Sequence, residues 1–206
     1  MLVLPEAGLV LLENPKTATM SIRAMLGAAA VVEVPRHANA RLYAAEAAGL
    51  AARFGRSFRT VAVVREPLAR LQSWHRYRQR AKVADGPRSA AGISFDAFVC
   101  AALDDRPPPY ARVGRQDRFV EWNGRAAAVD HLFDFERLDL LVAFLSGRLG
   151  RPLRLPHRNA SPPAAPAKPL SAEVLALLIR ARADEFALYR AVAAAGVLTR
   201  AGAPWP

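Results

Sequence analysis

Thr60-Val61-Ala62-Val63-Val64-Arg65-Glu66-Pro67-Leu68-Ala69-Arg70-Leu71-Gln72-Ser73-Trp74 is the stretch on which the fold turns. Its first five residues are apolar throughout, with no alternation, the pattern of a strand buried on both faces in a parallel sheet. Pro67 then stands at a first helical position, where its missing N–H is not needed. Leu68, Leu71, Trp74 and Tyr77 follow at helical spacing. A buried strand feeding directly into a helix is the repeating unit of an α/β domain.

The same reading extends in both directions. Leu9-Val10-Leu11-Leu12 is a short apolar run that suits a buried strand, Asn14 to Thr17 is turn-like, and Thr19 to Ala29 reads as a helix. Val31 to Val34 forms a second predicted strand, stopped by Pro35, and Asn39 caps a helix running to about Arg53. On the other side Lys82 to Ile93 is a loop, and Ser94 caps a short helix carrying Phe95, Phe98 and Val99. Asp104 to Tyr110 is a loop stiffened by three prolines, His131 to Phe135 a strand, and Leu138, Leu141, Val142 and Leu145 one face of a helix ending at Gly150. Residues 151–170 read as a long Pro/Ala/Arg-rich loop. Ser171 caps one last long helix with Leu175, Leu178, Ile179, Phe186 and Tyr189 as its stripe, and 196–206 is a tail. The expectation is a single α/β domain over 1–206 with a central, mostly parallel sheet, and ligands beyond the carboxyl ends of its strands.

Composition narrows the function. The chain is 52% hydrophobic but only 8% aromatic, so much of the apolar share is helix-forming alanine rather than core filler. No apolar run approaches the ~18–20 residues that cross a bilayer. The first residues lack a basic segment, and Pro5 and Glu6 interrupt them, so a cytoplasmic location without a secretory leader is expected. The single cysteine, Cys100, excludes an internal disulfide and a multi-cysteine metal site, and reads as a buried small residue. Twenty-nine basic against 18 acidic residues give +11, which points to an anionic partner. Only Lys16, Lys82 and Lys168 among those basic residues are lysines, so each retained ammonium stands out against the arginine background.

Two stretches carry chemistry. Glu13-Asn14-Pro15-Lys16-Thr17-Ala18-Thr19-Met20-Ser21-Ile22 is a strand end, a tight turn and a helix start, which aims backbone N–H groups and a helix dipole at one point. Lys16 adds a charge there, and Thr17, Thr19 and Ser21 add hydroxyls; the Gly-Lys-Ser/Thr pattern of a Walker A loop is absent. Alone, this stretch reads equally as a capped helix with an incidental lysine. In the second, Arg65 lies past a buried strand and Ser73 on the following helix, a pair able to hold another phosphate. Alone, it reads as a solvated arginine and a surface serine.

Together, in this order and at this interval, the two resemble the sulfotransferases that use 3′-phosphoadenosine 5′-phosphosulfate (PAPS), of the carbohydrate-sulfotransferase or sulfotransferase family 2 type. Pro15-Lys16-Thr17-Ala18-Thr19-Met20-Ser21-Ile22 is similar to their 5′-phosphosulfate loop, and Arg65, Pro67 and Ser73 to their 3′-phosphate motif. Arg36-His37-Ala38, Phe133 to Leu138, Leu155 to Ser161 and Ala183 to Tyr189 are softer likenesses, so the resemblance runs from about residue 9 to about residue 190. Ala18 replaces the usual glycine, Met20 a hydroxyl residue, and Glu66 an Asn or Asp.

The resemblance implies a P-loop-NTPase-like three-layer domain and metal-independent, in-line transfer of a sulfuryl group to a hydroxyl of a glycan or small-molecule acceptor. It implies Pro15, Lys16, Thr17, Ala18, Thr19, Met20, Ser21, Arg65, Ser73 and Arg158 as donor-binding residues, with Lys16 also acting on the leaving oxygen. His37 is the expected general base, since imidazole suits proton abstraction near neutral pH; Glu13 is the reserve. His75 reads as packed or solvated, His131 as structural, and His157 as near the nucleotide. Arg70, Arg76, Arg78 and Arg80 read as a solvated helix face or as the groove of an anionic acceptor. Two other classes stay open. A P-loop-like ATP-dependent kinase fits Lys16-Thr17, and a basic nucleic-acid-binding protein fits the net charge and the Trp74 to Arg80 run.

Overall fold

A computed structural model describes residues 1–33, 35–80, 83, 86–156 and 169–200. Six strands form one mixed sheet: β1 Leu2–Leu4, β2 Leu9–Leu12, β3 Val31–Val32, β4 Arg59–Val64, β5 His131–Asp134 and β6 Val197–Thr199. Their spatial order is β3-β1-β2-β4-β5-β6. β2, β4 and β5 are parallel neighbours, with Leu12 opposite Ala62 and Val64 opposite Asp134. β1 and β6 run antiparallel to the strands they pair with, and β3 is antiparallel to β1, so four of the six strands point one way.

Eight helices are seen among the described residues: α1 Thr19–Leu26, α2 Ala40–Phe54, α3 Pro67–Arg78, α4 Phe95–Leu103, α5 Gln116–Phe119, α6 Leu138–Leu149, α7 Ala172–Ala181 and α8 Ala183–Ala195. The period-two geometry of the strands sorts their side chains to opposite faces. Val3, Val10, Leu12, Ala62, Val64 and Leu132 pack on one face with Leu50 of α2 and Leu188 and Val192 of α8. Leu9, Leu11, Val61, Val63 and Phe133 pack on the other with Ile22 of α1 and Phe144 of α6. Helices thus cover both faces of the sheet. A third cluster, including Leu71, Phe95, Phe98, Val99 and Leu178, ties α3, α4 and α7 together.

The predicted caps are present: Asn39 accepts from the Leu42 N–H, Ser94 from Ala97 and Ser171 from Val174. Gly150 ends α6 in a left-handed conformation. Two short elements add to those read from the sequence, and two expectations need correction. Leu2–Leu4 is an inner strand, too short for periodicity to reveal. Gln116–Phe119 is a helical turn in a stretch to which the sequence assigned no element. Val197–Thr199, placed in a tail, is an edge strand paired with β5. The last helix is two, broken at Arg182 (φ −120°, ψ 32°), whose guanidinium donates to the Ala102 carbonyl at 2.9 Å and to Glu185 at 3.1 Å. Val34, Lys82 and most of the 151–170 stretch lie outside the described residues, and none of the described helices is long and apolar enough to cross a membrane.

Candidate functional site

Because β2 and β4 are parallel neighbours, the segments leaving their carboxyl ends lie side by side. The first is strained. Lys16 has φ 72° and Ala18 φ 61°, on either side of Thr17. Left-handed residues alternating with an ordinary one make a concave nest of main-chain N–H groups. α1 begins directly after it, without a side-chain cap and without an acidic residue in its first turn. Thr17 is buried, and its hydroxyl donates to the Asn14 carbonyl at 2.8 Å. That hydroxyl closes the turn and is spent as a donor, unlike the role expected for it. Thr19 is half-buried and Ser21 buried, while Met20 is 49% exposed with its sulfur against the Arg36 guanidinium.

The second segment starts at Arg65. Its Nη1 donates to the Lys16 carbonyl at 3.3 Å, and its guanidinium lies 4.1 Å from the Phe135 ring centre. Glu66 caps α3 with its carboxylate, accepting from the Leu68 and Ala69 N–H groups, so the helix start itself is already answered. Ser73 is half-buried on α3, and no hydrogen bond among the described residues links it to either segment.

What holds the two segments together was not anticipated. Gln116, fully buried on α5, accepts from Asn14 Nδ2 and from the Arg65 N–H, both at 3.0 Å, and donates to the Arg65 carbonyl at 2.7 Å. Arg70 is 2% exposed. It donates to the carbonyls of Pro15, Val113 and Gly114 and pairs with Glu185 at 3.5 Å. Burial pulls its guanidinium down to about 10, against the opposing pull of Glu185. Arg70 is therefore neither a solvated residue nor part of an acceptor groove; it clamps the turn from beneath. An isolated Gln or a helix-start Arg carries no signal of such a role in one sequence.

Lys16 Nζ sits 3.9 Å from the Tyr77 ring centre and 5.1 Å from that of Trp74. Burial lowers this amine from the usual 10.5 to about 7, and the positive charges of Arg80, Arg78, Arg65 and Arg76 add to the fall. Among the described residues no carboxylate pairs with Lys16, Arg65 or Arg76. Arg65 Nε, Trp74 Nε1 and Arg78 Nε are buried there without hydrogen-bond partners. Arg78, 5% exposed and stacked over Trp74 at 5.0 Å, is again not the solvated residue expected. Lys16, Arg65 and Arg76 without a paired carboxylate among the described residues, beside open N–H donors, suit an anion.

His37 is exposed, and its Nδ1 lies 2.8 Å from the Glu13 carbonyl. Only an Nδ1–H bonds to a carbonyl, so the neutral ring carries its lone pair on Nε2. The Glu13 carboxylate is fully buried, in a two-pronged pair with Arg23 and within 4 Å of the Met1 ammonium and the Arg36 guanidinium. With its oxygens so engaged, Glu13 is no reserve base; it supports His37 through its main chain.

His75 packs on Phe95 and Phe98 and reaches the Ile93 carbonyl, and His131 is buried against Phe144, where burial lowers its pKa. Cys100 is half-buried rather than buried. His157 and Arg158 lie outside the described residues. No family model, curated protein or solved structure matches the chain.

Proposed function

We propose that the protein is a sulfotransferase moving a sulfuryl group from PAPS to a hydroxyl of a glycan or small-molecule acceptor. One observation carries the reading: the nest at Lys16 to Ala18 and the guanidinium of Arg65 stand at adjacent parallel strand ends, joined by the 3.3 Å bond from Arg65 to the Lys16 carbonyl. A donor with phosphate groups on both its 5′ and 3′ sides needs two anion grips that are close but distinct. The carboxylate-free first turn of α1 and the absence, among the described residues, of a carboxylate paired with Lys16, Arg65 or Arg76 fit such a donor. The Glu66 cap on α3 means that the second grip comes from side chains alone.

In this reading PAPS supplies the activated sulfuryl group, and its 5′-phosphate is the leaving group. The main-chain amides from Lys16 to Ser21 hold the phosphosulfate end, and Arg65 with Ser73 holds the 3′-phosphate. Lys16 swings from Tyr77 to the bridging oxygen and meets the charge that grows there; removing such a group costs on the order of 10²–10³ in turnover. His37 Nε2 takes the acceptor proton. Positioning and electrostatics do the rest, without a metal.

The test is calorimetric titration with adenosine 3′,5′-bisphosphate, ATP with magnesium, and an oligonucleotide. Tight, metal-free binding of the bisphosphate, weakened by Lys16→Ala or Arg65→Ala, is expected. Stronger binding of ATP with magnesium would move the assignment to a kinase. Strongly salt-dependent binding of random DNA would move it to a nucleic-acid-binding protein.

A further inference from the structure

We propose that Lys16 is a modification site for small acyl phosphates, the phosphate docking at the arginines around the end of α3 and the acyl group passing to the lysine amine. This goes beyond the sulfotransferase reading and does not depend on it. The geometry has three parts. The amine is half-buried, seated on Tyr77 and sharing the Trp74 ring with Arg78, which lies 5.0 Å from the ring centre against 5.1 Å for Lys16. Arg65, Arg76, Arg78 and Arg80 all act on it electrostatically, and Arg80 also lies over Tyr77 at 5.6 Å. Arg78 is nine-tenths buried, with an Nε that has no partner, and the Trp74 N–H beside it has none either.

An acyl phosphate matches both halves of this arrangement. Its dianionic end answers the guanidinium groups of Arg76 and Arg78, with which no carboxylate pairs among the described residues, and the open Arg78 and Trp74 N–H groups. Its carbonyl carbon then stands near an amine that is uncharged in a large share of molecules at neutral pH, since its pKa is about 7. The Nζ lone pair forms the N–C bond, and the C–O bond to phosphate breaks with its electron pair leaving on phosphate. One amine proton passes to phosphate or water, and inorganic phosphate departs. The arginines stabilise that leaving group as its charge grows. The product amide is neutral, so one acylation removes the lysine charge from the anion grip.

The chain offers its own controls, because Lys82 and Lys168 are its only other lysines. The full chain is incubated with acetyl phosphate near neutral pH, and acylation of each lysine is followed by peptide mass spectrometry. Lys16 is expected to react roughly tenfold faster than either of the others, as a depressed amine pKa frees its nucleophilic form. Inorganic phosphate should slow Lys16 alone, and Arg80→Ala should slow it as well. With an uncharged acetyl ester of N-hydroxysuccinimide the preference should shrink, since that reagent has no phosphate to dock. Equal rates at all three lysines overturn the proposal. So does a Lys16 preference that phosphate leaves unchanged and the uncharged ester reproduces. The phosphate competition uses the unmodified protein, so it decides even if Arg80→Ala fails to fold. Bisphosphate titration of the same sample reads the sulfotransferase proposal separately.

Discussion

The guanidinium of Arg65 spans two strand ends: its Nη1 donates to the main-chain carbonyl of Lys16 at 3.3 Å while its flat face rests 4.1 Å from the Phe135 ring centre. Only a planar fork satisfies both contacts and keeps N–H groups for an anion. Arg65→Lys therefore keeps the charge and loses the geometry. Calorimetry should show bisphosphate affinity weakened by about 1.5–3 kcal/mol, the range of hydrogen bonds to charged groups.

Lys16 makes stability depend on pH. Its amine has a pKa of 10.5 when unfolded and about 7 in the fold, so between those values the unfolded chain binds more protons. Stability should rise as pH goes from about 7 toward 10.5, and the cost of burying the charge is fully felt below 7. Thermal unfolding across that range should show the rise in the native chain and a flatter profile in Lys16→Met. An anion bound beside the amine restores its charge. Bisphosphate titrations at pH 8 in buffers of different ionisation enthalpy should accordingly reveal proton uptake, absent from Lys16→Met.

Ala18 adopts φ 61°, a conformation that costs an L-residue roughly 1–2 kcal/mol and glycine almost nothing. Glycine loses part of that advantage through its freer unfolded chain. Ala18→Gly is expected to stabilise the protein by about 0.5–1 kcal/mol in urea denaturation; a loss of stability would show that the turn is not held in this shape.

Among the described residues Glu185 is the carboxylate that pairs with both buried guanidinium groups, Arg70 and Arg182, and it also accepts from the Gln116 N–H at 3.0 Å. Glu185→Gln leaves two buried guanidinium groups without their paired carboxylate. A destabilisation of about 3–5 kcal/mol is expected by chemical denaturation. The double variant with Arg70→Met should recover part of it.

His37, oriented by the Glu13 carbonyl, tests the base assignment. His37→Asn should lower sulfuryl transfer on the order of 10²–10⁴-fold and leave bisphosphate affinity unchanged. Unchanged turnover would remove His37 from the mechanism.

Long elements with a clear period were legible from residue types: the apolar run at Thr60–Val64, Pro67 at the start of its helix, and the caps at Asn39, Ser94 and Ser171. Lys16 and Arg65 were legible as an adjacent pair because a parallel sheet brings successive strand ends together. The short elements were not. Three residues at Leu2–Leu4 or Val197–Thr199 are ordered by their neighbours rather than by local pattern. The residues that couple the two strand ends were invisible for a related reason. Gln116 acts on groups 51 and 102 positions away, and Arg70 on a carboxylate 115 away. Nothing in their own neighbourhood announces burial, so Arg70, Arg76, Arg78 and Arg80 look alike in the sequence, although Arg70 and Arg78 are interior and Arg80 lies beyond the end of α3.

The Glu66 cap has an evolutionary consequence. At the first strand end the proposed grip is built largely from peptide amides, which every codon but proline preserves, so side chains such as Met20 are free to drift. At the second, the helix is already sealed by its own carboxylate, and in the proposed reading recognition rests on the side chains of Arg65 and Ser73. In the proposed reading, descendants that retain Lys16 keep a hold on one anion through most other changes in that turn, whereas their taste in nucleotides changes with codon 65.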